Sequence, residues 1–449
     1  MAAKKIQAQL TPEEKLQQAL VPEAEQPYKV PDNWCYFFFT ALIDIEGGTQ
    51  PPKSQFVDEP LENYVRLVQI RDFASNKYAV YVPDSKKLRH FENNDILIAR
   101  YGASLGRICT GMSGVYNVAL AKIIFSENIL NRKYVYWMLQ SDVFQIPLLS
   151  ISRTAQAGFN KDDLSTFSMP LPPLVEQQRI VERIESLFAK LDEAKENLQN
   201  VLDGFETRKA AILHKAFTGE LTANWRKQHG VSMDSWEEKC VSEICKNLKY
   251  GTSKKSELNG LVAVIRMGNL QNGEIDWNNL AYTDDEEDIK KYSLKKGDVL
   301  FNRTNSPELV GKTAIYRGEF PAIYAGYLIK LDYNENIING EYFNYLMNSI
   351  RAKEYCQLVK TDGVSQSNIN AKKIGAFQIP VPKLEEQTEI VRIIDGVFAK
   401  EQQAKELAEN ALAKIDLIKK SILARAFRGE LGTNNLADEP AVELLKRVL

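Results

Sequence analysis

Residues 167–221 recur as residues 377–431 without a gap, and 25 of the 55 aligned positions are identical. A chain carrying two copies of so long a unit has to fold as two equivalent halves. The matches include Pro170/Pro380, Pro172/Pro382, Glu176/Glu386, Gln177/Gln387 and Ile180/Ile390, then Phe-Ala-Lys at 188–190 and 398–400, and Gly-Glu-Leu at 219–221 and 429–431. Each copy opens on prolines, which hold the preceding chain extended and are tolerated only at a first helical turn. No proline follows for about 40 residues. The apolar positions then step by three and four: Ile184, Leu187, Leu191, Ala194, Leu198, Val201, Phe205 and Ile212, and in the second copy Ile394, Val397, Ala404, Ala408, Ala411, Ile415, Ile418 and Ile422. That spacing predicts two long helices with a coiled-coil seam, each roughly 60 Å long. Gly219 and Gly429 suit the helix stops. An antiparallel pair within the chain is the simplest use of two such seams; pairing with other chains is the alternative.

A globular segment precedes each helix, and the two segments agree in outline. Each has a tryptophan (Trp34, Trp236) and a Gly-Thr turn (Gly48-Thr49, Gly251-Thr252), then a strand-rich run. Each then has an apolar strand trailed by arginine, "DILIAR" and "DVLFNR", a further strand, a short helix and a polar loop, "SRTAQAG" and "KTDGVSQSN". The expected class is α/β. Two mixed α/β domains lie in tandem, each followed by a long helix, and the helices pair as an antiparallel coiled coil with an approximate two-fold relation. The expected boundaries are a tail at 1–30, a first head at 31–169, a central helix region at 170–222, a second head at 223–379, a second helix region at 380–432 and a tail at 433–449. Residues 1 to about 30, polar and rich in Gln and Glu, are expected to be mobile, with a short helix at most.

The candidate catalytic motifs fail on spacing. Gly311-Lys312-Thr313 lacks the glycine a phosphate loop needs five positions earlier, where Ser306 stands. Asn305–Glu308, "NSPE", lacks the second proline and the aromatic residue of an amino-methylating loop. Asp288-Ile289-Lys290 sits in a charged run that reads as a solvated turn. The three histidines, His90, His214 and His229, are isolated. Five scattered cysteines fit reduced thiols in a cytoplasmic protein better than a metal site. No apolar run is long enough to cross a membrane, and the start lacks a signal peptide's apolar core. The chain reads as a non-catalytic protein.

Two differing heads, two Pro-x-Pro-x-x-x-x-Gln helices, the helix ends "AFTGELTANWR" and "AFRGEL", and the closing "DEPAVELLKRVL" together resemble the specificity (S) subunit of Type I restriction–modification systems over nearly the whole chain. The first helix departs mildly in its extra Pro173. The resemblance implies two target-recognition domains, each reading one half of a bipartite duplex-DNA site. The paired helices would set the unread gap, so one added turn in each should lengthen it. They would also dock two methyltransferase (M) subunits, and restriction (R) subunits would join. No cofactor is implied in this chain: S-adenosylmethionine belongs to M, and ATP and Mg to R. The competing reading is a coiled-coil scaffold with two protein-binding heads and no DNA selectivity.

Base edges and phosphates are read by Arg, Lys, Asn, Gln, Ser, Thr and Tyr. The candidates in the first head are Arg66, Gln69, Arg71, Arg100, Tyr101, Arg107, Arg153, Thr154, Gln156 and Asn160. In the second head they are Lys254, Lys255, Arg266, Asn269, Arg303, Asn305, Lys312, Lys360, Ser365, Gln366 and Asn368. Each could equally be a solvated charge or a capped turn; Arg100 and Arg303 stand out because they hold equivalent places after a strand. The net charge of −2 excludes a protein that grips nucleic acid by bulk charge. Weak DNA binding by the chain alone, strengthened by M and steeply salt-dependent, is therefore expected.

Overall fold

The computed structural model describes residues 11–152 and 158–449. They form two compact units, one of residues up to 197 together with 410–449, the other of residues 198–409. Each unit thus holds one head, the lead-in half of its own long helix or helix pair, and the closing half of the other.

The two heads are built alike. In the first, an antiparallel sheet runs Ile43–Gly47, Leu120–Phe125, Leu97–Ala99, Ile108–Cys109. A second sheet orders Tyr81–Pro83, Tyr64–Val68, Gly114–Tyr116 and His90–Phe91, with its middle pair parallel. In the second head the first sheet recurs as Cys245–Tyr250, Leu328–Tyr333, Val299–Asn302, Thr313–Ile315, and the other as Ala281–Thr283, Val262–Ile265, Ala322–Tyr324, again with one parallel pair. The central strands are the apolar runs "LIA" and "VLFN", buried along their whole length. Such continuous apolarity is what a strand covered on both faces requires.

The repeated proline–glutamine motif is a junction. Pro170 lies in strand Ser168–Leu171, antiparallel to Cys35–Phe38; Pro380 lies in Gln378–Val381, antiparallel to Glu237–Cys240. The long helix starts at Leu174 in the first copy and at Leu384 in the second. The fully buried Gln177 then donates Nε2 to the carbonyls of Ile129 (2.8 Å) and Pro172 (3.1 Å) and accepts from the Asn131 amide at 2.7 Å. Gln387 repeats this with Ile337 (3.0 Å), Pro382 (2.7 Å) and Asn339 (2.7 Å). Asn131 and Asn339 are themselves the N-caps of the head helices Arg132–Gln140 and Gly340–Met347. One side chain therefore fastens the head helix, the strand and the long helix together, and a primary amide with both donors and an acceptor is needed to do it.

The first long helix is broken once: Leu174–Asp203 and Phe205–Phe217 flank Gly204, whereas the second copy runs unbroken from Leu384 to Ala426. In each unit the helix halves run antiparallel. In one, Asp192 and Phe188 meet Lys419, while Arg179, earlier in the helix, meets Asp438. In the other, Phe205, Arg208 and Lys209 meet Lys405, Glu401 and Phe398 in turn. Of the pairing residues, Ile184, Ile394 and Ile415 are buried, and Leu187, Leu191, Leu198, Phe205, Val397 and Ile422 are half-buried. Val201 and Ile418 depart from the expected seam: they are 42% and 44% exposed, and Leu213 and Leu423 are buried instead. A helix of 3.6 residues per turn drifts off a 3.5-residue seam, and a break at glycine shifts the phase further.

The termini correct a second expectation. Residues 11–30 are not a loose tail. Thr11 and Glu14 form a capping box on the helix Pro12–Ala19, Leu20 bridges to Phe37, and Ala19 and Val21 are buried. At the other end the helix Ala441–Lys446 buries Ala441 and Leu445 in the same core.

Candidate nucleic-acid interface

In each head, three segments converge on one turn. In the second head the turn is Ala325–Tyr327. The Gly326 amide donates to the Thr252 carbonyl (2.6 Å), the Ala325 amide to Ile265 (2.9 Å), and the Tyr327 carbonyl accepts from the Arg303 amide (3.0 Å). In the first head the equivalent turn is Asn117–Ala119. The Thr49 amide donates to Tyr116 (3.0 Å), the Asn117 amide to Val68 (3.2 Å) and the Arg100 amide to Ala119 (2.8 Å). The recurring Gly-Thr is explained here. A Cβ on Gly48 would lie 2.1 Å from the Asn117 carbonyl oxygen, and one on Gly251 would lie 2.2 Å from that of Tyr324. Only glycine lets the backbones approach so closely.

This convergence gathers several candidates. Asn305 and Asn368 lie in a small sheet of Thr304–Asn305, Ser367–Asn368 and Thr361–Asp362, and Arg303 immediately precedes it. Lys360 reaches the Pro307 carbonyl beside it (3.4 Å). Ser365 and Gln366 are exposed at the tip. Arg266 follows the strand that meets the turn and donates to the Asn279 carbonyl at 2.5 Å. Lys254, two residues beyond Thr252, is paired with Asp285 at 2.7 Å. In the first head Arg100 and Tyr101 pack against Gly158, and Gln69 follows the strand at the turn.

Others hold internal structure. Asn269 is buried and donates to the carbonyls of Asp276 and Asn278, both at 3.0 Å. Asn160 caps a turn by accepting from the amides of Asp162 and Asp163. Arg66 is half-buried against Asn76 (2.8 Å), Lys312 is bound to Gln271 (3.0 Å), and Arg71 lies over the Tyr78 ring. Among the described residues Arg107, Lys255, Ser365 and Gln366 are exposed, and their side chains carry no hydrogen bond or ion pair within the chain. Arg153, Thr154 and Gln156 lie outside the described residues.

Sequence reasoning passed over Tyr250, Tyr327 and Val364, all exposed beside the second turn. An apolar residue inside a polar loop was the available signal for Val364. Lys312 and Thr313 form no phosphate cradle, for Thr313 is buried in a strand. Asp288, expected in a solvated turn, is buried in the helix Glu286–Tyr292 and accepts the Thr252 hydroxyl. Among the described residues no cluster of three or more His, Cys, Asp or Glu could hold a metal, and no helix is long and apolar enough to cross a membrane. Burial pushes the thiols of Cys35, Cys245 and Cys356 up to about 12 and that of Cys109 to about 11, which favours the neutral thiol at each.

Two heads of one design, each joined to a long helix by the same proline–glutamine junction, define a protein of two tandem repeats. The sequence model described as the Type I restriction modification DNA specificity domain matches residues 31–203 and again 233–410, so the chain belongs to the family of Type I restriction–modification specificity subunits. It is 26% identical to the EcoKI specificity subunit of Escherichia coli (strain K12), over 92% of each chain. To the StySPI specificity subunit of Salmonella potsdam it is 25% identical, again over 92% of each. The crystal structure of the HsdS subunit from Thermoanaerobacter tengcongensis has the same fold, at a TM-score of 0.62 and 18% identity over 91% of this chain and 100% of that one.

Proposed function

We propose that each head reads one half of a bipartite duplex-DNA target through the loops gathered at its turn, and that the long helices set the unread gap and dock two methyltransferase subunits. Restriction subunits join that complex. The chain itself does no chemistry: S-adenosylmethionine belongs to the methyltransferase partners, and ATP and Mg to the restriction partners, in the cytoplasm. The observation that carries this reading is the turn held by equivalent backbone bonds in both heads, with different polar side chains around it. Equal scaffolds with different lining are what two different half-sites on one duplex call for. The helices add support. Leu407 in one unit and Leu417 in the other are 63% and 64% exposed. Large apolar side chains standing out from a helix suit coverage by partner helices.

The test is a genome-wide map of N6-methyladenine in the source strain with and without this gene. Loss of methylation at one bipartite motif of fixed gap on deletion is the expected result. Unchanged methylation, together with failure to co-purify a methyltransferase subunit, would leave the scaffold reading in its place.

A further inference from the structure

Resting on that reading, we infer that Arg303 does not touch DNA. It is a positioning residue that holds the Thr361–Asn368 hairpin as the base-reading element of the second head. A guanidinium reads guanine with two free N–H groups of its fork. In Arg303 one N–H of each terminal nitrogen is held within the fold, Nη1 on the Gly326 carbonyl and Nη2 on Asn368 Oδ1, each at 3.3 Å, and Nε is buried without a hydrogen-bond partner, so the plane of the fork is fixed between the turn and the hairpin. The guanidinium lies 4.8 Å from the Tyr250 ring centroid, and the Arg303 carbonyl accepts from the Ile369 amide (2.8 Å). One residue thus ties the turn, a strand and the hairpin stem.

The hairpin is rigid at its base and open at its tip. Ser367 and Ile369 are fully buried, Asn368 donates to Thr304 Oγ1 at 2.8 Å, and the Gly363 amide closes the turn on the Gln366 carbonyl at 2.8 Å. Residues 361–366 are all exposed, and Val364 is exposed to its full extent. Gln366 leaves its carboxamide unengaged, the group that pairs bidentately with adenine, and Val364 offers a methyl surface for thymine. The tip therefore fits an A·T pair read in the major groove. The first head supports the assignment independently: Arg100, at the equivalent place, donates Nε and Nη2 to the Phe159 carbonyl at 3.2 and 3.1 Å.

Two measurements on the full chain decide it. Hydrogen exchange without DNA should show the amides of 361–368 opening roughly tenfold faster in Arg303→Lys, which loses the fork, and in Asn368→Ala, which removes the same bond from the hairpin side. The rest of the second unit should be unchanged. Adenine-methylation maps made with the same variants beside their methyltransferase partner should keep the first half-site and the gap while the second half-site loses base preference. Unchanged exchange together with loss of a single base position would make Arg303 a direct contact and overturn the inference. If Arg303→Lys loosens the whole unit, Asn368→Ala decides by the same criteria. Absence of any bipartite motif with the unaltered chain would fall on the two-head reading, while the exchange result would still judge the pin.

Discussion

Glu176 and Glu386 hold equivalent places in the repeat, both are fully buried, and each accepts an indole N–H, from Trp34 at 2.7 Å and Trp236 at 2.9 Å. Their remaining partners differ. Glu386 has the Arg226 guanidinium at 2.6 Å and the Thr222 hydroxyl at 2.7 Å. Glu176 has Asn434 Nδ2 at 2.7 Å and Thr433 Oγ1 at 3.3 Å, both neutral, while the nearby Arg179 bonds Asp438 and the Thr433 carbonyl. Removing one member of a buried pair strands the other charge, so Arg226→Ala is expected to cost about 3–5 kcal/mol in denaturant titration of the second unit. Burial raises the Glu176 carboxyl above its ordinary 4.5, against the lowering effect of its donors and of Arg179. A raised carboxyl favours the protonated fold. Its contribution is fully present below the unfolded value and is lost as pH rises through the folded one. The stability of the unaltered chain relative to Glu176→Gln should therefore fall as pH climbs from about 4.5 and level off above the folded value. Asp44 and Asp95 in the same unit are lowered and act in the opposite sense, which is why the comparison with Glu176→Gln is needed.

At the scale of elements, the first unit differs from the second in how it is closed. Around Glu386 the closing residues Thr222 and Arg226 and the tryptophan come from one continuous stretch. Around Glu176 they come from both ends of the chain, Trp34 from one and Thr433 and Asn434 from the other. Asn434 also donates to Asn33 Oδ1 at 2.7 Å, and Lys15 donates to the Leu449 carbonyl at 2.8 Å. Removal of residues 433–449 would expose the sites of Ala441 and Leu445 and strip Glu176 of two donors. It is expected to destabilise the first unit by at least about 3 kcal/mol. Limited proteolysis should then cut the first head and leave the second intact. The sequence showed the helix ends as matching motifs. It could not show that the polar residues 11–30 would be fixed by packing against the opposite end of the chain.

At the scale of the whole molecule, charge sets a prediction of its own. With 57 basic and 59 acidic residues, and with Lys254, Arg208 and Arg317 held in ion pairs, the chain has no net positive charge to offer phosphates. Fluorescence anisotropy should show weak duplex binding by the chain alone and much tighter binding once methyltransferase subunits are added. Affinity of the complex should fall linearly in log–log form with salt, by roughly 0.9 per neutralised phosphate. The sequence alone determined the duplication, the order of head and helix, and the family, because proline pairs, apolar spacing and a gap-free repeat are local signals that survive without coordinates. Tertiary structure decided which repeated residues are junctions, as with Gln177 and Gln387, and which of the polar candidates are bonded within the fold, as with Asn269 and Arg303. The reason is physical: a hydrogen-bonding side chain has the same sequence signature whether its partner is a base edge or a carbonyl 65 positions away, and only packing settles which one it meets.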